Sequence, residues 1–124
     1  MKIISTDKAP AAIGPYSQAI EANGFIFTSG MVPIDPATNT VVTGDIEVQA
    51  RQAISNVKAL LESVGSSLDK VVKTTVFIKN MDDFGRINEI YAEIFGGHCP
   101  ARSCVEVARL PKDVLIEIEA VAAV

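Results

Sequence analysis

At Asp45 the hydrophobic period of this 124-residue chain changes, and that change limits its fold more than any other sequence feature. Before it, apolar residues come in short runs broken by Gly, Pro and Asn. After it, Ile46, Ala50, Ala53, Ile54, Val57, Leu60, Leu61 and Val64 recur at the three-and-four spacing of an amphipathic helix. Asp45 is suited to cap the start, and Gly65 to take the left-handed conformation that ends it. "VVKTTVFIK" (71–79) is β-branched and aromatic, a strand with apolar residues on both faces. A second helix follows, capped by Asp82 or Asp83, with a buried stripe of Phe84, Ile87, Tyr91, Ile94 and Phe95 and a stop at Gly96-Gly97.

Strands flank this middle. "AIEANGFIFTSG" (19–30) reads as a hairpin about Asn23-Gly24. "PIDPATNTVV" (33–42) is turn-rich and leads into another short strand. The stretch up to Ala19 carries Pro10, Gly14 and Pro15 and reads as an irregular arm. Arg102 to Arg109 is a strand, "LPKD" (110–113) a turn, and Val114 to Val124 the last strand. The order β-β-β, α, β, α, β-β does not alternate strictly. It predicts an α+β fold, one domain over residues 1–124, with a mixed sheet covered on one face by two helices.

Apolar residues are 48% of the chain and mean hydropathy is +0.30, more than so short a chain can hide alone. The second sheet face is therefore expected to be covered by sister subunits in a closed ring. No apolar run approaches the roughly 20 residues of a membrane span, and the N-terminus lacks a signal-peptide core; a cytoplasmic protein without a membrane partner is expected. Net charge is −4 and the basic residues are scattered, which argues against nucleic acid. Cys99 and Cys104, five apart along an extended stretch, stand about 16 Å apart, too far for a disulfide. With His98 they make a poor metal set, so no metal is expected. No phosphate-cradling glycine loop or G-x-S-x-G is present, and His98 has no obvious acid to orient it for a nucleophilic triad.

The chemistry must come from polar residues in apolar surroundings. In "CPARSCVEV" (99–107), Val105 and Val107 alternate like a half-buried strand, yet Arg102 stands at its mouth. A buried guanidinium is costly unless paired. Its partner is either a carboxylate of this chain (Glu106, Glu117 or Glu119) or that of a small molecule; a plain surface arginine in the Pro-Ala-Arg-Ser turn is the remaining alternative. Cys104 lies on the same side as Arg102, a small filler that leaves room beside the guanidinium. Glu117 and Glu119 share a face with Leu115 and Val121. A solvated face accounts for Glu119, whereas a glutamate in a pocket with an arginine can position a water and take its proton. Asn88 falls inside the second helix's apolar stripe, where its amide must be hydrogen-bonded, either to tie down a strand or to support a site. Tyr16, in "GPYSQ", either packs or covers a small ligand.

Together, "AAIGPYSQA" (11–19), "IFTSGMVPIDPATNTVV" (26–42), "QARQAISNVKALLES" (49–63), "VVKTTVFIKNMDDFGRINEIY" (71–91) and "PARSCVEVARLPKDVLIEIEAVA" (100–122) resemble the Rid, or YjgF, family over nearly the whole chain. The Pro-Ala-Arg-Ser setting of Arg102 is similar to the archetypal branch, the reactive-intermediate (enamine/imine) deaminases. The resemblance implies a chorismate-mutase-like fold and a homotrimer with sites between neighbouring subunits. It implies hydrolysis of 2-iminopropanoate and 2-iminobutanoate, released by pyridoxal-phosphate dehydratases, to 2-keto acids and ammonia without a cofactor. It further implies that Arg102 binds the substrate carboxylate and Glu117 holds the attacking water. Tyr16, Ser29 and Gly30 would shape the cleft, Cys104 would contribute through its backbone, and Asn88 would support. The chain departs from its relatives at "GGHC" (96–99), which is short and puts Cys99 where an aromatic residue is common. Rival readings are a non-catalytic trimer that senses or carries small carboxylates, an endoribonuclease or translation inhibitor, and a holdase-type chaperone.

Overall fold

Asn23 and Gly24 both take positive φ, 52° and 82°, the pair of left-handed residues that a two-residue hairpin turn requires. They join β2 (Ala19–Ala22) to β3 (Phe25–Thr28). The computed structural model describes residues 1–124. Besides the hairpin it contains β1 (Lys2–Ile4), a small ribbon of β4 (Ile34–Asp35) and β5 (Thr40–Val41), and helix α1 (Ile46–Glu62). These are followed by β6 (Val71–Ile78), helix α2 (Phe84–Phe95), β7 (Ala101–Glu106) and β8 (Ile116–Ala123).

Six strands form one mixed sheet in the order β1-β2-β3-β8-β6-β7. All neighbours are antiparallel except β6 and β7, which α2 links as parallel strands. Both helices cover one face. Ile54, Val57, Leu60 and Leu61 of α1 and Ile87 of α2 meet Val76, Ile78, Ile116 and Ile118 of the sheet, all essentially inaccessible to water. Each such side chain contributes about 1.5–3 kcal/mol. The core also holds amides whose bonds are made inside the protein. Gln49 accepts from Leu115 N at 2.8 Å, and Asn56 donates to the carbonyls of Val32 and Ile34, pinning the ribbon to α1.

The opposite face of the sheet is uncovered by this chain and carries exposed apolar side chains. Ile3, Phe25, Phe27 and Val105 are each 40–66% exposed on it.

Several expectations need correction. The opening stretch is not irregular throughout, because Lys2–Ile4 pairs with β2; three residues carry too little pattern to announce a strand whose bonds come from elsewhere in the chain. Asp45 caps α1 as expected, accepting from Val48 N, and Gly65 takes φ 81°. Neither Asp82 nor Asp83 caps the second helix with its side chain. Asn80 does that work, accepting from Asp82 N at the head of a single 3-10 turn (Met81–Asp83) that runs into α2. The stripe of α2 also gains Ile90, while Phe84 and Ile94 are only half-buried. β7 stops at Glu106 rather than Arg109. Its valines are not its inner face: Val105 is exposed, and Arg102 and Cys104 point toward the helices instead.

Candidate functional site

The inversion of β7 sets the geometry of Arg102. Its register partner on β6 is Thr74, a fully buried residue of the helix-facing side. The guanidinium therefore projects toward α2, where Phe84, Asn88 and Tyr91 share one helix face. Its carbon lies 5.3 Å from the Phe84 ring centroid and 4.9 Å from that of Tyr91. Such cation–π contacts hold a charge without neutralising it. Nη1 donates to Asn88 Oδ1 at 2.7 Å. No carboxylate of the chain pairs with Arg102. The salt bridges to Glu106, Glu117 or Glu119 weighed from sequence are absent, because Glu106 accepts from Met81 N and the other two lie across the sheet. Asn88 thus serves the arginine rather than a strand.

Arg102 opens into a hollow of about 480 Å³ beside Tyr91, Phe95, His98 and Cys99. His98 Nε2 lies 2.6 Å from the Val71 carbonyl, and the Cys99 thiol is free and exposed. Cys104, half-buried on Arg102's side of β7, is also free. Burial pushes its thiol pKa up, and the charge of Arg102 opposes the shift.

Glu117 belongs to the other face. Along β8, Ile116, Ile118 and Ala120 enter the core, so Glu117 and Glu119 point away from the helices. Glu119 is exposed, as expected, but Glu117 is half-buried. Burial raises its carboxyl pKa first and the nearby charge of Glu119 second. No hydrogen bond or ion pair from this chain opposes that shift.

Gly30 is what makes room for it. Met31 and Ile118 exchange backbone bonds at 2.7 and 3.0 Å, clamping the segment after β3 against β8. A Cβ at residue 30 would sit 2.6 Å from Glu117 Oε2, closer than any side chain tolerates. Glu117, Gly30, Ser29 and Tyr16 line a second hollow of about 120 Å³. Ser29 Oγ donates to the Ser17 carbonyl at 2.6 Å, and Tyr16 is half-exposed over the opening.

The structure thus brings together Tyr16, Ser29, Gly30 and Glu117 on one face, and Asn88, Arg102 and Cys104 on the other. It does not bring Glu117 beside Arg102 within one chain. Residues next to each other on a strand point apart, and the intervening β6 pairs its Thr74 with Arg102 but its Phe77 with Glu117.

Three contributions escaped the sequence. Buried Gln18 accepts from Thr6 N and donates to the carbonyls of Thr6, Ala9 and Pro10, holding the arm that carries Tyr16. Phe84 and Tyr91 look like core residues, yet their rings face a cation. Lys112, in the turn before β8, takes φ 57° at the edge of the Glu117 hollow. The signal for the second lay in the spacing of Phe84, Asn88 and Tyr91, which puts an amide between two rings on one helix face. No three His, Cys, Asp or Glu side chains gather as a metal cage, and no helix is long and apolar enough to cross a membrane.

Residues 6–124 match the family model described as Endoribonuclease L-PSP. A RutC family protein of Pyrococcus horikoshii is 58% identical over 98% of this chain and 96% of its own length. The 2-iminobutanoate/2-iminopropanoate deaminase of Salmonella typhimurium is 52% identical over 98% of this chain and 96% of its own. Among solved structures, Escherichia coli TdcF with bound serine superposes with a TM-score of 0.95 at 47% identity, covering all of this chain and 99% of TdcF.

Proposed function

We propose, from the fact that this chain belongs to the Endoribonuclease L-PSP family, also called the Rid or YjgF family, that it hydrolyses 2-iminobutanoate and 2-iminopropanoate to 2-keto acids and ammonia. One observation carries this reading. Arg102 is fixed by an amide and two aromatic rings, faces a hollow, and has no acid of its own chain to pair with. Deaminase relatives at 52% identity and the serine-bound TdcF structure agree with a small ligand bearing a carboxylate.

The guanidinium grips that carboxylate through two parallel bonds, which set position and orientation together. Its Nη1 is already committed to Asn88, so the Nε/Nη2 edge is the free one. Glu117 holds a water, and its raised pKa makes it a better base than an exposed carboxylate. The water oxygen adds to the protonated C=N carbon while its proton passes to Glu117. Glu117 then returns that proton to nitrogen. The C–N bond breaks with its electron pair leaving on ammonia, while the O–H pair closes the C=O bond and the hydroxyl proton passes back to Glu117. Tyr16 screens the opening and Gly30 keeps the water's place clear.

Because the two groups lie on opposite faces, the reaction needs the Arg102 hollow of one subunit to meet the Glu117 hollow of a neighbour. A homotrimer with sites at its three junctions does this, and the uncovered Phe25 and Phe27 supply the apolar surface that such junctions bury. A cytoplasmic location belongs to the same reading.

The test couples purified protein to a threonine dehydratase and follows imine loss and keto-acid appearance. Faster keto-acid release with the parent, and none of that gain with Arg102→Ala, is the expected result. Equal rates with both proteins would remove the assignment. The same preparation, assayed on RNA, tests the activity named in the family model: ribonuclease signal that grows with purification while deaminase activity is lost would favour that rival.

A further inference from the structure

The Arg102 guanidinium lies over the Tyr91 ring, and nothing in the proposed mechanism explains why that ring carries a hydroxyl. The hydroxyl is 2.8 Å from Thr74 Oγ1, in a place where both are shut off from water. Thr74 is the residue directly beside Arg102 across the β6–β7 pair. The Tyr91 ring also stacks on Phe95, with centroids 4.4 Å apart and planes 22° from parallel. The ring is therefore held by its hydroxyl at the sheet and by Phe95 along the helix. The geometry points to Thr74 and Tyr91 as positioning residues that set the plane of the Arg102 guanidinium for an incoming carboxylate.

The physical argument is one of constraint. Asn88 fixes a single point of the guanidinium, Nη1, and one hydrogen bond permits rotation about it. Phe84 and Tyr91, both in contact distance of the guanidinium, restrict that rotation, so that the Nε/Nη2 edge keeps one direction. The Phe84 wall is half-buried and carries no polar anchor. The Tyr91 wall stays in place through the link to Thr74. If the threonine hydroxyl is removed with its shape kept, a buried tyrosine hydroxyl is left without a partner. Such a group is costly and turns toward water. The ring tilts with it, and the guanidinium loses its floor. Thr74 is fully buried behind Tyr91 and acts only through it.

This inference rests on the carboxylate-binding role proposed for Arg102, and its test is built to fail separately. Thr74→Val keeps the volume and removes the hydroxyl; Thr74→Ser restores the hydroxyl. Steady-state imine hydrolysis should show KM raised for Thr74→Val on the order of threefold to tenfold, the size of one lost neutral hydrogen bond. kcat should stay near the parent value, since the carboxylate grip is the same in substrate and transition state. Thr74→Ser should return KM to the parent's.

A second readout needs no activity: the ¹⁵N–¹H resonance of Arg102 Nε, assigned by its loss in Arg102→Lys. Ring currents of Phe84 and Tyr91 should hold its proton upfield of the exposed arginines in the parent and in Thr74→Ser. In Thr74→Val, or in Tyr91→Phe should that variant be the one that folds, the resonance should move toward the exposed ones. An unchanged resonance and KM in the hydroxyl-less variants overturns the inference, as does an equal change in Thr74→Val and Thr74→Ser. A parent that hydrolyses no imine removes only the proposed function, because the arginine resonance still reports the plane.

Discussion

The two hollows differ in how completely each holds its charged group. Arg102 has a fixed amide acceptor, two aromatic rings packed against it and no opposing charge. Glu117 has no donor from its own chain, a like-charged neighbour in Glu119, and a glycine pressed against it. The cation is prepared in advance, while the carboxylate is kept poorly solvated and basic. A group that must only grip benefits from rigidity; a group that must take up and return a proton benefits from a pKa brought nearer to neutral. The same sheet supplies both by sending neighbouring residues to opposite faces.

This contrast breaks first at Arg102. Arg102→Ala, and Arg102→Lys, which keeps charge but loses the fork, should each lower kcat/KM by about 10³-fold or more with the sedimentation coefficient unchanged. Glu117→Gln should cost about 10²-fold, chiefly in kcat, the size of a lost general base. Single-turnover rates on freshly generated imine separate the two effects. Gly30→Ala drives a methyl into the Glu117 carboxylate and should lower kcat by roughly tenfold to a hundredfold through misplacement alone. Its Tm should change much less than its rate.

The smallest effect sharpens the contrast most. In the proposed mechanism the ionised form of Glu117 is the base, so activity should fall as pH drops through its raised pKa. Glu119→Gln removes the negative neighbour, which makes ionisation of Glu117 easier and lowers that pKa. The acid limb of the kcat profile should then move to lower pH, with little change at the plateau. A limb that stays in place would mean that burial alone sets the proton affinity.

How much of this the sequence disclosed depended on whether a residue's role followed from its own neighbours. The period change at Asp45, the Asn23-Gly24 turn and the alternation of Ile116, Ile118 and Ala120 are local, and each was readable. β1 was not, because its hydrogen bonds come entirely from β2. On β7 the alternation of the sequence points the wrong face inward. It marks Val105 as the core residue, and only the packing of α2 shows that the helix-facing side belongs to Arg102. The resemblance singled out Arg102, Glu117, Gly30 and Asn88 individually. Their division between two faces was hidden, since it depends on β6 lying between β7 and β8, an order of strands that one sequence does not encode legibly.

The proposed division of the site between subunits can be measured by mixing. Arg102→Ala and Glu117→Gln subunits, each inactive alone, are unfolded together, refolded and assayed for imine hydrolysis. Random assembly should recover about one quarter of the parent's rate, because about one junction in four joins an intact Arg102 hollow to an intact Glu117 hollow. Activity no higher than that of the separate variants, from mixed oligomers shown by mass spectrometry to contain both, would contradict a site shared across the junction.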